Sequence, residues 1–405
     1  VTGILEGLRV IEGSAFIAAP MAGMTLAQLG ADVIRFDDLQ GGLDSDRWPV
    51  TGDGASIYWA GLNKGKRSIA VDLRHPKARE LLTALITAPG DNAGIFSTNM
   101  PARGWLSYEE LAKKRADLIA LNIVGDRHGA ANVDYTVNAI TGFPLVSGPV
   151  GHDGPVNNVL PAWDIATAYA AAMAILAAER HRRMTGQGQK IVLPLQDMAL
   201  AAVSATGYIG EAVVNSVDRP RFGNEIFGSF GRDFRTKDGR WVMICMFSDR
   251  HVDALAAAGG FKEAFAAIEK KTGVDLKSDA GRWNARAEIC ALLEPWAASL
   301  TAEAIGVALK KAGALWAPYQ SFRELSTDTD AVTDNPMFTV LEQPGIGRYP
   351  VAASPLQFAA APRQPPAPAP TLGQHTDEIL SGILGLSGGE IAKLHDEKVV
   401  AGPGK

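Results

Sequence analysis

The sequence predicts an α/β fold, with a large domain built on a mostly parallel sheet and a smaller α/β domain after it. Three observations carry this. The first forty residues alternate strand, helix and strand. The alternation then repeats to about residue 195. Near residue 220 the pattern breaks into an irregular stretch, a hairpin and alanine-rich helices.

The opening unit is Leu8–Glu12 as a strand, Pro20–Leu29 as a helix and Ala31–Phe36 as the next strand. Pro20 suits a first helical turn, and Gly30 stands just past the helix end. A strand, a crossover helix and a strand imply parallel pairing. The turn between them, Gly13–Ala19, has no GxGxxG, so the phosphate fingerprint of a dinucleotide site is missing where it belongs. Further strands are expected at Ser68–Leu73, Ala93–Thr98, Leu118–Val124 and Ile191–Leu195, with a helix at His75–Ile86. A long helix from Asp164 to Arg183 should stop at Thr185-Gly186-Gln187-Gly188 after a basic last turn. Phe234–Met243 reads as a hairpin turning at Asp238-Gly239. Pro362–Pro370 should be extended, and Glu378–Leu394 closes the chain as a helix. These elements divide the chain at 1–224, 225–325 and 326–405.

Composition narrows the function. The 405 residues are 47% apolar and 20% charged, which fits a globular protein with a large core. A net charge of −5 leaves no footprint for nucleic acid. The two cysteines, Cys245 and Cys290, have no metal or disulfide spacing, so no metal site is expected and a reducing, cytoplasmic setting is. The N-terminal stretch Val1–Glu6 lacks a basic segment followed by an apolar one, so no signal peptide is expected. The longest apolar run, Ile165–Ala178, is too short to span a membrane.

Asp164 stands at the start of the long helix after Pro161-Ala162-Trp163. Locally it reads as an N-cap. The same place also suits a nucleophile. A helix N-terminus offers partial positive charge and free N–H groups, which would keep a partly buried carboxylate ionised. An ionised carboxylate can attack an acyl carbon. Lys64, Lys66 and Arg67 cluster just before a strand. They form either a solvated basic turn or a phosphate-binding set, which Arg47, Asn99 and Arg103 could join. His181-Arg182-Arg183 reads as an ordinary cationic helix end, and no Ser/His/Asp set or Walker loop is present.

The order of several segments resembles the class III coenzyme A transferases. They are Leu8–Glu12, Gly30–Arg35, Asn63-x-x-Lys66-Arg67-Ser68-Ile69, Thr98-Asn99, Arg182-x-x-Thr185-Gly186-x-Gly188-Gln189 and Leu372–Leu380. The resemblance implies a Rossmann-like large domain made from both chain ends, a small domain between them, and an interlocked homodimer. It implies an acyl-CoA substrate and no cofactor beyond the CoA carried as thioester. It makes Asp164 the nucleophile and assigns CoA binding to Arg47, Lys64, Lys66, Arg67, Asn99 and Arg103. Departures from the family pattern are informative. Ile17 replaces a Gln in the first turn, Tyr135-Thr136 replaces a Tyr-Glu pair, and Glu225-Ile226-Phe227-Gly228 replaces a run of mobile glycines. Ile17, Tyr135, Ile226 and Phe227 are thus expected to shape the substrate pocket. A pocket that retains its acid suits transfer of CoA between two carboxyls of one molecule. Transfer between separate acids is the alternative. Racemisation is another, although Val133 stands where the racemase branch carries a His.

Overall fold

A computed structural model describes residues 3–403; Val1 and Thr2 of the N-terminal stretch lie outside the described residues. Its centre is a seven-stranded sheet. Six strands are β1 (Arg9–Gly13), β2 (Asp32–Asp37), β3 (Arg67–Val71), β4 (Ile95–Thr98), β5 (Ile119–Val124) and β6 (Gln189–Pro194). They lie in the order β3-β2-β1-β4-β5-β6, all parallel, and Val400–Ala401 adds an antiparallel edge beside β3.

Period-two alternation feeds two cores. Val10, Val33, Ile95, Ile119 and Leu121 point to one face. There they meet the helices Ala18–Gln28 and Ala162–Thr185, whose Ala18, Ala22, Ala168, Ala171 and Ala172 let the two backbones approach. Ile11, Ile34, Phe36, Phe96 and Ala120 point to the other face, against helix Pro76–Ile86 and the C-terminal helices. The chain therefore folds its C-terminal end back onto its first strands.

The chain forms two compact units. The first runs to Thr141, from Asn158 to Gly210, and from Ser326 onward; the second is Gly142–Asn157 with Glu211–Leu325. The second unit has an antiparallel sheet of β7 (Phe230–Arg235), β8 (Trp241–Met246) and β9 (Leu315–Pro318). Its own core centres on Phe230, Phe234, Ile244, Leu255, Leu293 and Leu309.

Three expectations change. Composition puts the domain boundary at 224/225, whereas the compact units divide at Gly210 and the second unit also takes Gly142–Asn157. The boundary falls on helix Tyr208–Asn215, which has no buried residue to mark it. The segment after Ser326 is more than a linker, because it holds a hairpin of β10 (Phe338–Gln343) and β11 (Gly347–Ala352). The closing helix is two, Thr376–Gly382 and Gly388–Asp396. Gly385 takes φ 69° between them, and Ser387 with Glu390 forms a fresh capping box.

Candidate active site

In a doubly wound sheet a crevice opens where the strand order reverses, outside the carboxyl ends of the strands. Here that point lies between β1 and β4. The turns leaving these strands are tied together by Asn99. Its Oδ1 accepts from the Ala15 amide at 3.0 Å, and its Nδ2 donates to the Ala15 carbonyl at 2.7 Å. Phe16 takes φ 68°, a left-handed conformation that a side chain resists. The Asp44 carboxylate holds it there, accepting from the Phe16 amide at 2.9 Å.

A cavity of about 700 Å³ opens at this crevice. Phe16, Ile17, Arg47, Tyr58, Asn99, Arg103, Tyr135 and Asp164 line it. The structure thus gathers six sequence-predicted residues: Ile17, Arg47, Asn99, Arg103, Tyr135 and Asp164. The Arg47 guanidinium lies 5.5 Å from the Phe16 ring centroid and 5.3 Å from that of Tyr58, within range of favourable cation–π attraction. Burial pushes the Tyr58 hydroxyl up to about 12, so it stays protonated at neutral pH, although the Arg47 charge opposes the shift.

Lys64, Lys66 and Arg67 do not line this cavity. Lys66 is enclosed, with its Nζ donating to Glu12 Oε1 at 2.6 Å, Asn63 Oδ1 at 2.8 Å and the Pro20 carbonyl at 2.8 Å. Burial pulls its pKa down to about 8, against the pull of Glu12. Arg67 turns the other way and bridges Asp32 at 2.6 Å and Glu378 at 3.0 Å. Lys64 donates to the Gly61 carbonyl at 2.6 Å. The expectation of a phosphate-binding cluster is therefore replaced. Entry into β3 turns neighbouring side chains to opposite sides, and each cation finds an internal partner.

Asp164 lies in the first turn of Ala162–Thr185, whose N-cap is Pro161. It is thus not the cap. The amides of Trp163 and Asp164 instead donate to Asp134 Oδ2, at 2.7 and 3.0 Å. Asp134 opens the short helix Asp134–Ala139, and Asn138 one turn on accepts from the Trp163 indole N–H at 3.0 Å. Sequence reasoning missed both residues; their only signal is a helical i,i+4 spacing of Asp and Asn ahead of a tryptophan.

Asp164 is pushed up to about 7, chiefly by burial and next by Asp134, while Arg47 pulls the other way. Burial works against the expectation that the helix start keeps it ionised, and Asp134 holds two of the donors there. The folded-state value lies above the ordinary 3.8, so the protonated form is favoured on folding. This contribution is full below the ordinary value and is lost as pH rises through about 7. Asp164→Asn removes the buried charge. It should stabilise the protein by about 1–3 kcal/mol at pH 8, allowing for the partial exposure of the carboxylate, with the gain fading toward pH 4. Thermal unfolding across pH checks this; equal midpoints of variant and parent at pH 8 would contradict it.

Ile226 and Phe227 belong to the second unit. The Phe227 ring stacks on Phe222 at 5.3 Å, meets Trp283 edge-on at 5.1 Å and lies under the Arg219 guanidinium at 4.0 Å. The Ile226 side chain fills the space that a Cβ on Gly231 would need. Ile226 and Phe227, expected to shape the substrate pocket, are packed within the second unit. Arg182, expected to be an ordinary helix-end cation, is buried and donates to the Ala93 carbonyl at 2.8 Å. Among the described residues no His/Cys/Asp/Glu group could hold a metal ion, and no helix is long and apolar enough to cross a membrane.

The model of CoA-transferase family III matches residues 5–376. The chain is 56% identical over 403 residues to 2-methylfumaryl-CoA isomerase of Chloroflexus aurantiacus, covering 99% of this chain and 98% of that one. It is 29% identical to succinyl-CoA:mesaconate CoA-transferase of Haloarcula hispanica, covering 93% and 96%. A crystal structure of a CAIB/BAIF family protein from Brucella suis superposes with a TM-score of 0.77 at 25% identity, covering 95% of this chain and all of that one.

Proposed function

This chain belongs to CoA-transferase family III, and on that premise we propose that it moves CoA between the two carboxyl groups of mesaconyl-CoA, with Asp164 as the covalent relay. The observation that carries the reading is Asp164 at the switch-point cavity, facing Arg47, in a chain 56% identical to 2-methylfumaryl-CoA isomerase.

The Asp164 carboxylate attacks the thioester carbonyl, the C–S bond breaks, and CoA leaves as thiolate. The thiolate attacks the aspartyl carbonyl of the anhydride, giving an aspartyl-CoA thioester and freeing the dicarboxylate. The other carboxylate then attacks that thioester, and the returning thiolate releases Asp164. Each step exchanges one anion for another and consumes no water. Arg47 suits the free carboxylate and the exposed Arg103 the CoA phosphates, as forked donors. Ile17 and Tyr135 wall the acyl site, and Asn99 braces the turn that carries Ile17. A homodimer in the cytoplasm completes the reading, and the mass in solution tests the dimer.

A bound acceptor has a high effective concentration, so it outcompetes acids in solution. The test mixes mesaconyl-C1-CoA with excess carbon-labelled free mesaconate. The expected product ester carries no label. Labelled ester would make the enzyme an intermolecular transferase, the activity that the Haloarcula relative's name describes.

A further inference from the structure

The cavity holds a second carboxylate that this reaction scheme does not use. Asp134 is 3% exposed, and its Oδ2 accepts from the Trp163 and Asp164 amides. Those amides belong to the unpaired donors that begin every helix, where an anion gains most. The nucleophile stands in the same turn, yet these donors are turned to its neighbour. Resting on the reading of Asp164 as nucleophile, we propose that Asp134 is a positioning residue. It claims the amides at the start of the nucleophile's helix, sets its negative charge beside Asp164, and so favours the acylated enzyme over the free carboxylate.

The argument is one of charge. Free Asp164 attacks as an anion. As its oxygen bonds to the acyl carbon, the C–S bond breaks and the negative charge departs on the thiolate. The acylated side chain is neutral, both as anhydride and as thioester. A neighbouring carboxylate therefore repels the free nucleophile and leaves the adduct alone. Burial acts in the same direction, because desolvation penalises only the charged form.

The groups facing Asp164 come from separate elements. Asp134 comes from its short helix, Arg47 from the segment after β2, and Tyr58 from helix Ile57–Leu62. Tyr58 is neutral and Arg47 attracts the anion, so Asp134 is the group whose charge repels. Burial pushes the Asp134 carboxyl above its ordinary range, and the two accepted amide bonds oppose that rise and favour its charged form, whereas among the described residues no amide bond offsets the burial of Asp164. The rise of Asp164 to about 7 agrees with this division.

Asp134→Asn tests the idea, because its amide oxygen can still accept the Trp163 and Asp164 amides while the charge is gone. In the parent, kcat/KM should fall on the acid side with a midpoint near 7. In the variant that midpoint should drop by about one unit or more, and the ratio of CoA adduct to free enzyme, read by intact mass, should fall by about tenfold. A folded variant with the parent's midpoint and adduct ratio would overturn the proposal. Carbon-13 NMR of aspartate carboxyls in the parent protein needs no Asp134 variant. The carboxyl that titrates near 7 should be the one whose signal is missing in Asp164→Asn. If that missing signal titrates in the ordinary carboxylate range, the proposal falls. Should Asp164→Asn keep full turnover, the reading of Asp164 as nucleophile fails. Should it be inactive while Asp134→Asn keeps the parent's midpoint, only the present inference fails.

Discussion

Asp164→Asn should lower kcat and kcat/KM together, by at least about 10³-fold, while CoA esters still bind. The amide matches the carboxylate in size, so the cavity, the Arg47 stack and the Phe16 turn keep their form. What is lost is the attacking anion, without which the C–S bond has no route to an anhydride. Intact mass should show a CoA adduct on the parent enzyme and none on the variant. Asp164→Glu keeps the charge but places it one methylene further on, and a shift of that size should cost about 10²-fold. The stability gain expected for Asp164→Asn above pH 7 separates lost chemistry from misfolding, since a misfolded variant would be less stable. Turnover within tenfold of the parent would remove Asp164 from the reaction.

Much of this site was legible because its signals are local. The βαβ pattern of the first forty residues and the apolar run after Asp164 locate β1 and the long helix, which begins at Ala162 rather than at Asp164, and they put Ile17 and Asp164 near element ends. Signals that depend on distant partners were not legible. The Lys64–Arg67 run looks like a phosphate site because four residues alone cannot show which side each cation faces. Lys66 finds Glu12, 54 positions away, and Arg67 finds Asp32 and Glu378, 35 and 311 positions away. Asp134 stood unnoticed beside Tyr135 because its helix-capping role depends on amides 29 and 30 positions downstream. Asn99 lines the cavity and also stitches two strand ends, a role visible only once the strand order puts β1 beside β4. The sequence at Ile226–Phe227 shows only that glycines are absent, whereas the aromatic partners Phe222 and Trp283 decide how Phe227 packs.

Lys66→Met should destabilise the first unit by about 3–5 kcal/mol, because it strands a buried carboxylate. Lys66 and Glu12 are both fully enclosed, and Glu12 Oε2 has no hydrogen-bond partner. That oxygen lies where a Cβ on Gly23 would stand, so helix Ala18–Gln28 closes over it. Lys66 and the Ser14 hydroxyl, which donates at 2.7 Å, hold the other oxygen. The damage should reach the active site. Asn63 Oδ1 accepts from both Lys66 and Arg35, Arg35 grips Asp44 at 2.8 Å, and Asp44 holds the Phe16 amide. Losing one cation therefore loosens the left-handed turn at the mouth of the cavity. Pairing Lys66→Met with Glu12→Leu removes both charges and should recover most of the stability. Denaturant unfolding of the three variants measures this as a double-mutant cycle, read on the transition of the first unit. The sequence-based alternative expects otherwise. If Lys66 served a CoA phosphate, its loss would raise KM for the CoA ester and leave unfolding unchanged, and Glu12→Leu would rescue nothing.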